Sequence, residues 1–231
     1  MEGMGDFHPA TEEYLETIFE LEEAGIPPMR ARIVERLGVS APSVSETVAR
    51  LEREGYLVLG ADRQMRLTAT GRAYATSMVR RHRLAERLLV DVLKVPWHQV
   101  HEEACRLEHA ISESLEQHLV ALLGDPGCCP HGNPIPGSAN HPGTLALVKL
   151  NAVPTGTSVI ITRIDEVLEN KPEGLLLLET NALVPGATVT VESTDGATVT
   201  VGAGDALVSL PDWVTSCLLV LLADEQAVSA P

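Results

Sequence analysis

"RARIVERLGVSAPSVSETVARLEREGYL", residues 30–57, is the stretch that decides the fold of the amino-terminal part of the chain. Apolar residues recur at helical spacing on both sides of "GVS", where Gly38 can take the positive φ that ends a helix. The spacing predicts a helix over about 29–37, a tight turn, and a second helix over about 41–54. This pattern is typical of a helix-turn-helix.

The residues that follow Gly55 predict a β-hairpin, because "YLVLGADRQMRLT" has two short apolar runs separated by polar residues. A helix-turn-helix followed by a hairpin is a winged helix, in which the second helix enters the major groove of DNA. Hydroxyl side chains and arginines are suited to phosphates and base edges. We therefore predict that the DNA-binding residues are Arg30, Arg32, Ser40, Pro42, Ser43, Ser45, Glu46, Thr47, Arg50, Arg53 and Arg63.

The charge of the chain is unevenly distributed. The whole protein carries a net charge of −15, yet residues 29–87 contain 12 arginines and no lysine against 6 acidic residues, a net +6, which leaves −21 for the rest. A basic segment in an acidic protein is expected of a nucleic-acid-binding module attached to another domain. Arginines that only form surface ion pairs would give the same count.

Metal-ligand residue types cluster in "HEEACRLEH", residues 101–109. On a helix, His101, Cys105, Glu108 and His109 share one stripe. A solvated helix would explain this stretch alone, but similar residues occur on two other predicted helices. These are Glu13 and Glu16 over about 11–24, and His82 and Glu86 over about 71–93, while the helix that contains "HEEACRLEH" is predicted over about 98–123. Helices that cross could bring these donors together, so the sequence favours a metal site.

The second half of the chain changes character. Residues 124–143 have the Gly, Pro and Asn content of a loop, and "CCPHG" lacks the paired, spaced ligands of a structural zinc site. From about residue 144, short apolar runs such as "SVIITRI", "GLLLLET" and "ATVTVES" predict strands of a small β-barrel. The predicted fold is therefore mainly α with C-terminal β.

Composition limits the cellular setting. There is no apolar run of about 18 residues and the first residues are acidic, so we expect a cytoplasmic protein without membrane contact. The four cysteines lack the spacing of a secreted disulfide framework.

Four motifs together resemble the diphtheria toxin repressor family of iron- and manganese-dependent repressors: residues 30–57 above, "RRHRLAERLLVDV", "VHEEACRLEHAIS" and "PHGNPIPG". The resemblance is nearly continuous from Thr11 to Gly137. It implies a homodimer that binds palindromic operator DNA when a divalent metal binds. It also implies a winged helix-turn-helix domain over 1–74, a helical dimerisation and metal-binding domain over 75–137, a linker over 138–147 and an SH3-like β-barrel over 148–231.

The resemblance also implies two ions per subunit. An activating set falls on Glu13, Cys105, Glu108 and His109, with Glu16 one turn after Glu13. An ancillary set falls on His82, Glu86, His101, Glu166 and Glu169.

Three positions depart from the family pattern. Iron repressors carry Met where this chain has Glu13, whereas manganese repressors carry a carboxylate there. At the position of Cys105, however, manganese repressors usually carry Glu. Because a carboxylate in place of a thioether favours harder ions, we predict Mn²⁺, with Fe²⁺ as the alternative. Glu46 stands where Gln is usual in the family. A Glu carboxylate would accept a hydrogen bond from the amino group of cytosine, whereas a Gln amide could pair with adenine.

The same residues could belong to two other classes of protein, a metalloenzyme or a winged-helix protein that does not depend on metal. A metalloenzyme is disfavoured because "HEEAC" and "CRLEH" do not form HExxH, and no nucleophile triad or phosphate loop stands out. A winged-helix scaffold without metal dependence would leave the His and Glu residues as surface polar groups. We therefore predict a regulator that is not an enzyme, in which metal binding and DNA binding are thermodynamically linked.

Overall fold

A computed structural model describes residues 9–204 and 206–223. The chain divides into two compact units at the Arg81–His82 bond, and each unit is described by itself. None of the helices within those residues is long and apolar enough to cross a membrane.

The first unit is a helix-turn-helix followed by a hairpin. Its elements are α1 Pro9–Glu23, α2 Arg30–Leu37, α3 Ala41–Arg53, β1 Leu57–Leu59, β2 Met65–Leu67 and the first part of α4 Ala69–Arg87. The two strands pair antiparallel, with Leu57 opposite Leu67. The winged helix predicted from the sequence is confirmed.

Local chemistry fixes the turn between α2 and α3. Gly38 has φ +65°, and its N–H donates to the carbonyl of Val34, which closes α2. Ser40 then caps α3, since its hydroxyl accepts from the N–H of Ser43, and Pro42 lies in the first turn. One side of each helix is apolar, and Ile33, Val48 and Leu51 are fully buried in the core of this unit.

The second unit begins with helices. After His82, α4 runs on to Arg87 and continues as a π-helical segment Leu88–Val92, followed by α5 Val100–Leu107, a 3₁₀ turn Glu108–Ala110 and α6 Glu113–Leu123. The single helix predicted over about 98–123 is therefore wrong. Ile111 is extended with ψ 105°, and Ser112 caps a new helix by accepting from the N–H of Leu115.

The carboxyl-terminal part is an antiparallel β domain. Its strands are β3 Val148–Lys149, β4 Ser158–Ile164, β5 Thr188–Thr194, β6 Thr198–Ala203, β7 Ala206–Pro211 and β8 Leu218–Leu222, with short helices α7 Glu166–Glu169, α8 Pro172–Thr180 and α9 Asp212–Thr215. The strand order is β3-β8-β4-β5-β6-β7. Valine and leucine side chains from alternate positions fill its core. The predicted class, mainly α with a C-terminal β domain, is confirmed.

One predicted strand is a helix. "GLLLLET" lies in α8, with Pro172 in its first turn and with Leu175 and Leu178 buried three residues apart. Leucine is a good helix former without the β-branching that favours strands, so an apolar run of leucines alone did not distinguish the two.

Candidate metal centre

Metal-ligand side chains from four elements of the second unit converge. The last turns of α4 supply His82 and Glu86 one helical turn apart. α5 supplies His101 and Cys105 with the same spacing, and the 3₁₀ turn after it supplies Glu108 and His109. The last residue of α7 is Glu169.

Four of these residues form a cluster, named here the four-residue cluster: His82, Glu86, His101 and Glu169. One ligand atom from each lies within 4.8 Å of the others. His101 Nδ1 is 3.2 Å from Glu169 Oε2 and 3.7 Å from Glu86 Oε1, and His82 Nε2 is 3.4 Å from Glu86 Oε1. The side chains are between 0% and 12% exposed. All four belong to the predicted ancillary set.

A second cluster, the thiol cluster, consists of His82, His101 and Cys105, again with ligand atoms within 4.8 Å. Cys105 Sγ is 3.7 Å from His101 Nε2. His82 of this cluster also contacts Glu108, with 2.5 Å between His82 Nδ1 and Glu108 Oε2. Glu108 Oε1 in turn lies 3.5 Å from His109 Nε2. Donors predicted for separate sites are therefore in contact with each other.

A third cluster involves residues that the sequence analysis missed. The loop cluster consists of Glu86, Cys129 and His131, all buried and with ligand atoms within 4.8 Å. "CCPHG" is a loop as predicted, but His131 Nδ1 lies 3.0 Å from Glu86 Oε1 and 3.1 Å from Glu169 Oε2. These contacts join residues that are distant in the chain, so the spacing of residues along the sequence could not reveal them. The signal in the sequence was the presence of Cys and His beside "GNPIPG".

Neighbouring polar groups hold the carboxylates in place. Asn133 Nδ2 donates to Glu169 Oε1 at 2.6 Å, and Arg163 Nε donates to Asn133 Oδ1 at 2.5 Å. Glu166, also predicted for the ancillary set, instead accepts from Arg83 at 2.6 Å. Within the described ranges, none of the three clusters includes Glu166. The short helix α7 thus directs one carboxylate to the histidines and the other to an arginine.

The histidines favour the protonated form. Burial lowers the pKa of His82, but hydrogen bonds to Cys105 and Glu108 outweigh it, so the pKa lies well above its ordinary value. His101 behaves likewise through Cys105 and Glu169, and His131 through the charges of Glu169 and Glu86. In the metal-free chain, protonated imidazoles therefore balance the buried carboxylates.

Burial and neighbouring groups shift the pKa values of the acidic side chains in different directions. Burial raises the pKa of Glu86, yet the charge of His131 and hydrogen bonds from three histidines hold it well below its ordinary value. Burial also raises the pKa of Cys105, but hydrogen bonds to His101 and His82 bring it down to about 7. Burial and the charge of Glu86 raise the pKa of Cys129 to about 12. Cys105 is thus the thiol more readily ionised.

These clusters fit a divalent metal. Buried Glu86 Oε2 and His131 Nε2 make no hydrogen bond within the part of the chain that the structure describes. Leaving such an atom without a partner costs about 1–3 kcal/mol, which coordination to a cation would offset. Imidazole, carboxylate and thiol donors together suit first-row divalent ions.

Glu13 and Glu16 lie in the first unit, on α1. Glu13 is exposed and Glu16 half-buried. Their assignment to the activating set stays a prediction.

Most predicted DNA-binding residues lie on α3 or at its start. Ser40, Pro42, Ser43, Ser45, Glu46 and Arg53 are exposed, and Thr47 is half-buried. Arg63 is exposed in the hairpin turn with φ +63°. The hydroxyl of Ser45 donates to the carbonyl of Ala41. This helix therefore presents a polar surface of small side chains.

Two of the other predicted arginines have partners within the first unit, and a third is half-buried. Arg50, half-buried, donates to the Thr11 hydroxyl at 3.0 Å and lies 3.5 Å from Glu54. Exposed Arg32 pairs with Glu35 at 2.7 Å. Arg30, at the start of α2, is half-buried. Arg53 is thus the better candidate on α3 for a phosphate contact.

Comparison with known proteins agrees with both parts of this description. Residues 6–64 match the family model described as the iron dependent repressor N-terminal DNA binding domain. Residues 68–137 match the iron dependent repressor metal binding and dimerisation domain. Together the two matches span more than half of the chain.

Individual relatives extend the similarity into the β domain. The iron-dependent repressor IdeR of Mycobacterium tuberculosis is 46% identical over 207 residues, which cover 86% of this chain and 90% of the relative. The diphtheria toxin repressor of Corynebacterium diphtheriae is 43% identical over 202 residues, 84% of this chain and 88% of the relative. A solved manganese-dependent transcriptional repressor in complex with manganese superposes with TM-score 0.82 at 31% identity, covering 92% of this chain and 99% of that chain.

Proposed function

The chain belongs to the iron-dependent repressor family, a family of metal-dependent transcriptional repressors, and from this premise we propose that Mn²⁺ promotes its binding to operator DNA. In this proposal the protein acts in the cytoplasm as a homodimer on a palindromic operator and is not an enzyme. Fe²⁺ is the alternative ion. The convergence of buried His, Glu and Cys donors in the second unit is the observation that carries the proposal.

We assign two ions to each subunit. The four-residue cluster forms the ancillary site, with Glu86 and Glu169 as its carboxylates. Cys105, Glu108 and His109 form the activating site together with Glu13. A bound ion replaces the positive charge of the protonated imidazoles, which release their protons when they bind it. His82 can bind an ion through Nε2, which lies beside Glu86, while Nδ1–H donates to Glu108 Oε2.

The preference for manganese follows from donor hardness. A carboxylate at Glu13 gives the activating site a hard oxygen where relatives with Met have a thioether, and hard oxygen donors favour Mn²⁺. The mycobacterial relative is named for iron, whereas the structural neighbour reported above was solved with manganese. Cys105 supplies the one soft donor of the set.

Substitution of Glu13 by Met tests this preference. An operator duplex selected from a random-sequence pool by the Mn²⁺-loaded protein serves as the DNA, and anaerobic fluorescence anisotropy gives the activation midpoints for Mn²⁺, Fe²⁺, Co²⁺ and Zn²⁺. In Glu13→Met we expect the Mn²⁺ midpoint to rise more than the Fe²⁺ or Co²⁺ midpoint. Glu23→Met, at the other end of α1, is the control and should leave the ratio of the Mn²⁺ midpoint to the Co²⁺ midpoint unchanged. An unchanged ratio in Glu13→Met would contradict the manganese assignment.

A further inference from the structure

One carboxylate of the β domain is bonded to the helical part of the second unit. Glu179 lies in the last turn of α8, and its Oε1 accepts from the backbone N–H of Trp97 at 3.1 Å. Its other oxygen, Oε2, contacts Nδ1 of His98, which lies 81 residues earlier in the chain. Trp97 and His98 begin the 3₁₀ turn Trp97–Gln99 that precedes α5. Both oxygens of Glu179 therefore bind one short segment, and we name this set of bonds the Glu179 contact.

The side chain of Trp97 adds to the Glu179 contact. Its ring packs against the apolar core of the β domain, although the residue itself lies among the helices. Its Nε1 donates to the carbonyl of Pro130 at 3.0 Å, and the ring centroid lies 4.7 Å from that of His131. None of these contacts involves a residue of the four-residue cluster. They therefore do not require an ion bound to that cluster.

The imidazole of His98 has the correct tautomer for this contact. Gln99 Nε2 lies 3.1 Å from His98 Nε2. An amide N–H at that position makes Nε2 the acceptor, which leaves the imidazole proton on Nδ1, facing Glu179. Neither His98 nor Glu179 belongs to the donor clusters found among the described residues. The pair is thus not accounted for by the metal sites.

A rigid connection links Glu179 to the ancillary carboxylate Glu169. α7 ends at Glu169, and the Lys171 N–H closes the turn towards α8 by donating to the carbonyl of Leu168 at 2.9 Å. The two helices approach so closely that a Cβ added to Gly174 would lie 2.7 Å from Leu168 Cδ1. Because α7 and α8 pack as one body, holding the end of α8 also fixes the position of Glu169.

We propose that Glu179 is a positioning residue, which holds the β domain against the helices in the metal-free protein and so presents Glu169 to the four-residue cluster. The proposal rests on the proposed function for its claim that this cluster binds an ion. Domains joined by a linker move relative to each other unless their interface holds them. The linker already gives the two parts a high effective concentration, so a few bonds favour the docked arrangement. A carboxylate held in place loses less conformational freedom when an ion binds.

Acrylamide quenching of Trp97 in chelator tests the Glu179 contact without metal. Trp213→Phe leaves Trp97 as the single tryptophan of the chain. In this background we expect Glu179→Leu to increase the quenching constant, because the β domain no longer covers the indole. Glu179→Gln keeps one acceptor oxygen and should preserve most of the protection. Equal quenching in the background protein and in Glu179→Leu would overturn the proposal.

Glu173→Leu is the matched control for this experiment. Glu173 carries the same charge on the first turn of α8, where it is exposed. The substitution makes the same change of charge and volume on the same helix, so it should leave the quenching constant unchanged. Far-ultraviolet circular dichroism compares the folding of all variants.

Calorimetry with Mn²⁺ tests the consequence for the ancillary site. We expect Glu179→Leu to raise the Kd of one of the two ions about tenfold, as loss of a group that orients metal ligands does, and to leave the other unchanged. In His82→Ala, which we expect to lack the ancillary ion, adding Glu179→Leu should have no further effect. An unchanged Kd in Glu179→Leu, or an equal effect in both backgrounds, would overturn the positioning role.

The two experiments separate this proposal from the proposed function. A parent protein that binds a single Mn²⁺ would contradict the two-site assignment and, with it, the role of Glu179 in positioning a ligand. The quenching measurement in chelator would still decide whether Glu179 holds the β domain, because no ion takes part in it.

Discussion

His82 Nδ1 lies 2.5 Å from Glu108 Oε2, so a member of the predicted ancillary set is hydrogen-bonded to a member of the predicted activating set. Both side chains are almost completely buried. His82 Nε2 meanwhile lies 3.4 Å from Glu86 Oε1, also in the ancillary set. The imidazole thus bridges the two sets, since Nε2 can bind an ion of the ancillary site while Nδ1–H donates to Glu108.

The first prediction concerns the number of ions. We expect calorimetry with Mn²⁺ to give two ions per subunit for the parent and one for His82→Ala, since the four-residue cluster loses one of its two nitrogen donors. His118→Ala is the control, because His118 is exposed and its Nδ1 faces the carbonyl of Ser114 in α6. A single ion in the parent would contradict the two-site assignment.

The second prediction concerns pH. In the metal-free protein the pKa values of His82, His101 and His131 are raised. Their stabilisation is therefore complete below the unfolded pKa of about 6.5 and is lost as pH rises through the folded values. Urea unfolding in chelator should give a lower free energy of unfolding at pH 8 than at pH 6. A free energy that increases over this interval would count against protonated histidines in the cluster.

The third prediction separates two arginines of α3. Arg53→Ala should weaken DNA binding and reduce the slope of log affinity against log salt by about one unit, because we expect the exposed Arg53 to contact a phosphate. Arg50→Ala should change this slope less and lower the free energy of unfolding by about 1 kcal/mol, through loss of the bond to Thr11. Equal salt slopes in the parent and Arg53→Ala would exclude that contact.

The fourth prediction concerns Gly132, which follows His131. Its φ is +87°, and an added Cβ would lie 2.1 Å from the carbonyl oxygen of Thr162. Gly132→Ala should therefore destabilise the protein by more than the roughly 1–3 kcal/mol of backbone strain alone. Gly186→Ala is the matched control, with φ +97° and nothing within 4 Å of the added atom. Equal unfolding midpoints for the two variants would show that the loop yields to the clash.

The helix-turn-helix and hairpin could be predicted from sequence because their signals are local. Gly38 ends α2, Ser40 caps α3, and the buried residues Val44, Val48 and Leu51 recur at helical spacing. The break at Ile111 was missed because its main local signal, the cap at Ser112, stands within a stretch of otherwise helical spacing.

The metal centre could be predicted in part. The pairs His82–Glu86 and His101–Cys105 each follow from the spacing of one helix. His131 could not be found in this way, because its contacts with Glu86 and Glu169 depend on how a loop packs against other elements. The ion pair of Glu166 with Arg83, likewise a tertiary contact, could not be read from "RIDEVLEN".

The most direct test of metal-dependent DNA binding is fluorescence anisotropy on the selected operator duplex, with the parent and Glu108→Ala, in chelator and in saturating Mn²⁺. Glu108 is 2% exposed and lies against both His82 and His109, so its carboxylate is central to the activating set. We expect Mn²⁺ to raise the affinity of the parent by about 5–150-fold, a coupling of about 1–3 kcal/mol, and to leave Glu108→Ala at its chelated affinity. Equal affinity of the parent with and without Mn²⁺, or full activation of Glu108→Ala, would contradict the account.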